Sequence, residues 1–81
     1  MKVRVQFYAQ LRELIGVHEL ELELRQGATV GELLDEVYAQ QPQLRPHDKS
    51  ILIGAALEFV GRNYKPNPGE EIAIMPPVQG G

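Results

Sequence analysis

Cysteine is absent from the chain, and so is tryptophan. Without thiols there is no disulfide framework, no thiolate zinc site and no Fe–S cluster. The lack fits a reducing compartment, and a cytoplasmic protein is expected. No apolar run approaches the ~20 residues that span a bilayer, and the N-terminus lacks the apolar core of a secretory signal. No membrane role is therefore expected. Basic residues are few: eight Lys and Arg stand against eleven Asp and Glu, for a net charge of −3. They are scattered and form no stripe, which argues against nucleic acid as a partner. The Gly-x-x-x-x-Gly-Lys phosphate loop is missing, and no Gly-x-Ser-x-Gly elbow surrounds Ser50. Internal repeats and low-complexity stretches are missing too. Length is also limited. The 81 residues make one domain, and a chain of this size buries only about 60–65% of its unfolded surface. Little room remains for a deep pocket, so a carrier or binding module fits better than a self-sufficient enzyme.

What is present begins with alternation. Lys2 to Tyr8 places Val3, Val5 and Phe7 on one side and Lys2, Arg4 and Gln6 on the other. His18 to Leu24 repeats the pattern, with Leu20, Leu22 and Leu24 inward and Glu19, Glu21 and Glu23 outward. Both read as half-buried strands. The outward sets are basic on the first and acidic on the second, which favours pairing the two antiparallel. Glutamates spread along a strand do not converge on a metal ion, so the acidic run reads as a solvated sheet face. Between the strands, Leu11, Leu14 and Ile15 follow helical spacing and Gly16 can supply a left-handed stop. One to two helical turns are expected inside the hairpin connection.

The clearest local signal is Thr29-Val30-Gly31-Glu32, a capping box that opens a helix. Val30, Leu33, Leu34, Val37 and Tyr38 form its apolar stripe. Asp35 and Glu36 diverge by about 100° on that helix and cannot share a proton. The helix should end by Gln41, before Pro42. Gln43 to Lys49 reads as a polar loop. His18 and His47 have no third ligand or nucleophile nearby and read as surface residues, and no metal site is expected. Ile51-Leu52-Ile53 reads as a strand that is apolar on both faces, Gly54-Ala55-Ala56 as a turn, and Leu57 to Val60 as a short edge strand. Asn67-Pro68-Gly69-Glu70 fits a type II turn. The last strand is Glu71 to Met75, with Ile72 and Ile74 inward.

Pro76-Pro77 then stops the ladder and forces an extended path. The expectation is a body over residues 1–75 and an extended tail over 76–81. The six tail residues reach at most roughly 20 Å. Gly80-Gly81 carries no side chains and can pass a slot too narrow for any other residue. A terminal Gly-Gly alone is no more than a frayed end; the body in front of it gives it meaning. The order strand, short helix, strand, helix, strand, strand, strand puts one long helix over one sheet. With the first and last strands parallel at the centre, this is an α+β fold of the β-grasp, ubiquitin-like class. It has about five strands, one main helix and one short helix.

Three segments carry a family resemblance: Phe7-Tyr8-Ala9-Gln10-Leu11-Arg12-Glu13-Leu14-Ile15-Gly16, Pro68-Gly69-Glu70-Glu71 and Pro76-Pro77-Val78-Gln79-Gly80-Gly81. In these the chain resembles the MoaD family, small sulfur-carrier subunits of molybdopterin synthase in the ThiS/MoaD superfamily. It departs from the family pattern at Ala56, where Asn is frequent, which leaves the turn type there open. The resemblance implies a non-catalytic carrier subunit. Its Gly81 carboxylate would be adenylated by a ubiquitin-activating-like adenylyltransferase of the MoeB type, which uses ATP; no cofactor would stay bound to the carrier itself. Sulfur from a persulfide protein would then leave a thiocarboxylate. The large synthase subunit, of the MoaE type, would take the tail (Pro76, Pro77, Val78, Gln79, Gly80 and Gly81) and pass sulfur to cyclic pyranopterin monophosphate. Apolar residues left over once the helix covers one sheet face, namely Phe59, Met75, Val78 and Tyr8, are the candidates for gripping partners. Carriers for thiamine thiazole synthesis or tRNA thiolation, a ubiquitin-like protein modifier, and a plain interaction module with an inert tail are the alternatives.

Overall fold

A computed structural model of the chain describes residues 1–77. Five strands form one mixed sheet: β1 (Lys2–Phe7), β2 (Glu19–Glu23), β3 (Leu52–Ala55), β4 (Glu58–Phe59) and β5 (Glu71–Met75), in spatial order β2-β1-β5-β3-β4. β1 and β5 lie parallel at the centre, with Val5 beside Ile72 and Phe7 beside Ile74. The other pairs are antiparallel. Helix α1 (Ala9–Ile15) sits in the β1–β2 connection and α2 (Val30–Gln40) crosses from β2 toward β3. This is the β-grasp arrangement.

Alternation decides which face is buried. Val3, Val5, Phe7, Leu22, Ile53, Ile72 and Ile74 project to one side and are closed off by Val30, Leu33, Leu34, Val37 and Tyr38 of α2. Removing this apolar area from water, at about 25 cal/mol per Å², is the main force holding the layers together. The capping box forms as its sequence requires. Thr29 Oγ1 accepts from the Glu32 N–H (3.3 Å), and the Glu32 carboxylate accepts from the Thr29 N–H (2.8 Å). Gly16 closes α1 at φ 74°, and Gly69 supplies φ 80° in the turn before β5.

Four local expectations are corrected. The Gln43–Lys49 stretch is mostly a 3-10 helix, Pro42–His47, because Leu44 is buried and pins it to the core. Leu14 points outward at 44% exposure; a seven-residue helix presents too narrow a strip to bury Leu11, Leu14 and Ile15 together. Gly54 and Ala55 belong to β3, and the reversal falls on Ala56–Leu57. Leu52 is only half-buried, since just one face of β3 meets the core. The charge pairing is partly rerouted. Lys2 meets Glu21 (3.7 Å) across β1–β2, but Arg4 turns to Glu71 on β5 (3.6 Å).

Candidate functional site

With α2 covering one face, the other face of the sheet stays open and divides into two halves. On the β2–β1 side it carries Lys2, Arg4, Gln6, Glu19, Glu21 and Glu23. On the β5–β3–β4 side it is largely apolar, with Glu71 and Glu58 at its margin. There Met75 and Ala73 of β5 lie beside Leu52 and Gly54 of β3, and Gly54 lies beside Phe59 of β4. A groove of about 460 Å³ forms here, with Tyr8, Leu57, Phe59 and Met75 among its lining.

Each element contributes for a local reason. Gly54 is part of the groove floor: a Cβ there would come within 3.1 Å of Met75 Cε. Glycine therefore lets the Met75 side chain lie across the strand. Phe59 sits on a two-residue edge strand and stays 69% exposed. Tyr8 is held at the end of β1 by its backbone N–H, which donates to the Ile74 carbonyl (3.2 Å). The Arg12 guanidinium lies 5.9 Å from the Tyr8 ring centroid, and its Nε donates to the Phe7 carbonyl (3.2 Å). So the Arg in the β1–α1 segment steadies an aromatic at the groove edge. Glu58 and Glu71 supply an acidic rim.

The sequence singled out Phe59, Met75 and Tyr8, and the structure brings all three to this one groove. Met75 is the last residue of β5, so the groove adjoins Pro76-Pro77 at the root of the expected tail. Val78, Gln79, Gly80 and Gly81 lie outside the described residues. Leu57 was not singled out, although it is the most exposed large apolar residue described. Its place between an Ala-Ala pair and an acidic residue hid it.

Two further grooves flank the body. One, about 340 Å³, lies at the tail root between Leu14, Ile51, Pro76 and Pro77. The other, about 540 Å³, has a mixed polar and apolar lining and runs along α2. Its chemistry is internal bonding. Tyr38 Oη donates to Asp48 Oδ1 (2.5 Å), Arg62 Nη1 donates to the same oxygen (2.7 Å), and Arg45 sits 5.2 Å over the Tyr38 ring. The Tyr38 hydroxyl and Arg62 hold the Asp48 carboxyl below its usual range, while burial and Asp48 push the Tyr38 phenol up. His18 and His47 are exposed. Ser50 Oγ donates to the His47 carbonyl (3.1 Å), a turn bond rather than a nucleophile–base pair.

Comparison with known proteins gives a consistent grouping. The ThiS family matches residues 5–81. The molybdopterin synthase sulfur carrier subunit of Chlamydomonas reinhardtii is 35% identical over 83 residues, spanning all of both chains. Its Arabidopsis thaliana counterpart is 30% identical and spans all of this chain and 84% of its own. Among solved structures, SAMP1 from Haloferax volcanii superposes with a TM-score of 0.89 at 26% identity, over the whole of both chains. A chain of the Amycolatopsis orientalis BexX/CysO complex gives 0.67 at 27% identity, over 98% of this chain and 99% of that one. The chain therefore belongs to the ThiS family, where it stands with the molybdopterin synthase sulfur carrier subunits of the MoaD type.

Proposed function

We propose that this protein is the small, sulfur-carrying subunit of a molybdopterin synthase and that the Gly81 carboxylate is the group that carries the sulfur. The observation that carries this reading is the full-length similarity to curated sulfur carrier subunits, together with an apolar groove that adjoins the root of the Gly-Gly tail. A carboxylate is a poor electrophile until it becomes a mixed anhydride. In this reading an activating enzyme joins the Gly81 carboxylate to AMP from ATP and releases pyrophosphate. The terminal sulfur of a persulfide attacks the carbonyl carbon, and AMP leaves with the bonding pair. A thiol then cleaves the acyl disulfide, leaving a thiocarboxylate on Gly81. The large synthase subunit receives the tail, and sulfur passes to cyclic pyranopterin monophosphate. Gly81 offers the attacking sulfur no side-chain hindrance, and Gly80 lets one tail fit two partner channels. Nucleophile, base and oxyanion donors come from the partners.

Phe59, Met75 and Tyr8 grip the large subunit in this scheme. An interface core enriched in aromatics and Met is a common pattern. Replacing both Phe59 and Met75 by alanine should weaken that complex; undiminished binding by a folded double variant would sink the assignment. The chemistry is tested by intact mass after reaction with activating enzyme, ATP and a sulfur source. The expected gain matches one oxygen replaced by sulfur, maps to Gly81 and vanishes when Gly80-Gly81 is deleted. A second reading is favoured by the close superposition on SAMP1, a protein named small archaeal modifier protein 1. Gly81 would then form isopeptides with lysines, and conjugates on a denaturing gel after activation would reveal it.

A further inference from the structure

The β3–β4 turn is unusual in two independent ways. Ala56 and Leu57 both have left-handed backbone, φ 52° and 67°. A two-residue hairpin turn of that kind is normally built from Asn-Gly or Asp-Gly, since a Cβ is disfavoured there. Leu57 is also fully exposed, at the rim of the groove. An aliphatic side chain held in water on a disfavoured backbone gains nothing in the free chain. Backbone held in sparsely populated conformations clusters at sites of binding and switching.

The position of Leu57 indicates what covers it. The hairpin tip lies at the Ile72 end of β5, because Ala55 pairs with Ile72, while Leu52 pairs with Met75 at the tail root. Three residues of strand separate the two ends, about 10 Å. The same groove joins them. A protein that encloses the tail beyond Met75 and covers the groove reaches Leu57 at its far end.

We propose that Leu57 is a docking anchor that inserts into an apolar pocket of the large synthase subunit, fixing the angle at which the tail enters. The inference rests on the sulfur-carrier reading and extends its contact surface to a residue outside the Phe59, Met75 and Tyr8 set. The acidic rim matches the pocket to a basic neighbourhood on the partner. Among the described residues no cation lies within ion-pair distance of Glu58.

The test exploits the opposed demands of folding and binding at one residue. Asn and Gly both suit left-handed backbone better than Leu does. Leu57→Asn and Leu57→Gly should therefore melt at or above the parent temperature. Against the purified large subunit from the same organism, both should bind at least tenfold more weakly, as expected when a wholly buried aliphatic anchor is lost. Leu57→Met, which keeps an apolar side chain, should stay within about threefold of the parent, the affinity change expected for a volume-conserving apolar swap. Parent-like binding by Leu57→Asn and Leu57→Gly overturns the anchor. Phe59→Ala, measured alongside, separates the two failures. If it weakens binding while the Leu57 variants do not, only the anchor falls. If none of the three weakens binding, the groove is not the docking face and the partner reading falls with it.

Discussion

Asp48 ties three segments of the chain together. Tyr38 reaches it from α2, Arg62 reaches it from the loop after β4, and Asp48 itself follows the 3-10 helix. Arg62 also bonds the Asp48 carbonyl. The Tyr38 ring is 4% exposed and packs with the core, while its hydroxyl reaches the half-exposed carboxylate. Hydrogen bonds to a charged group contribute about 1.5–3 kcal/mol when shielded and less near solvent. Tyr38→Phe should therefore cost about 1–2 kcal/mol in urea unfolding at neutral pH. The pH dependence has a definite sign. A carboxyl held below its usual value in the folded state adds stability that is present above the unfolded pKa of about 4. That stability is lost as pH falls through the lower, folded value. Acidification from pH 5 to pH 2 should cost the parent more than it costs Tyr38→Phe. Equal losses would show that the hydroxyl does not tune Asp48. Sequence reading placed Tyr38 on the helical stripe but could not find its partners. Asp48 lies 10 residues from Tyr38 and Arg62 lies 14 beyond Asp48, in irregular segments where no periodicity points.

Elements differ in how openly they declare themselves. The capping box of α2 was legible because its bonds join residues three apart, and the structure has both. Thr29→Ala should cost about 1 kcal/mol, read as a lower thermal midpoint. The Glu32 backbone N–H would lose its acceptor, while the Glu32 carboxylate, which is also gripped by Arg25 (2.9 and 3.0 Å), keeps the backbone N–H of residue 29. The turn after β3 was misplaced for a physical reason. Glycine usually punctuates a strand, but Gly54 serves close approach to Met75 and leaves the reversal to Ala56–Leu57. Ala56→Asn should then raise stability by about 0.5–1 kcal/mol, because Asn tolerates left-handed backbone that Ala resists. A drop in denaturation midpoint instead would mean that the turn is not held in this conformation. The 3-10 helix was hidden for a related reason. Its two prolines and polar residues read as loop, while a single buried Leu44 holds it in place. Proline at the first position gives up no bond that a helix needs.

At the scale of the molecule, the fold keeps two apolar sets apart. Alternation along β1, β2 and β5 and one stripe on α2 made most of the first set readable before any coordinates, and it forms the core. The second set, Tyr8, Leu57, Phe59 and Met75, lies around the groove on the face that α2 does not cover. Phe59 and Met75 were legible only by subtraction, as apolar residues with no inward duty. A domain of this size rests on a stability of about 5–15 kcal/mol, so the two sets should respond oppositely to truncation. Leu33 is fully buried between α2 and the sheet. Leu33→Ala should cost about 2–5 kcal/mol in chemical denaturation. Phe59→Ala removes mostly exposed surface and should stay within about 0.5 kcal/mol of the parent. Binding to the large subunit should reverse the order: Leu33→Ala, under conditions where it remains folded, associates like the parent, and Phe59→Ala does so at least tenfold more weakly, at about 1.4 kcal/mol per factor of ten. If Phe59→Ala instead unfolds as readily as Leu33→Ala, the open face is an extension of the core. A sheet face that the free protein needs for its own stability has no apolar surface left to give to a partner.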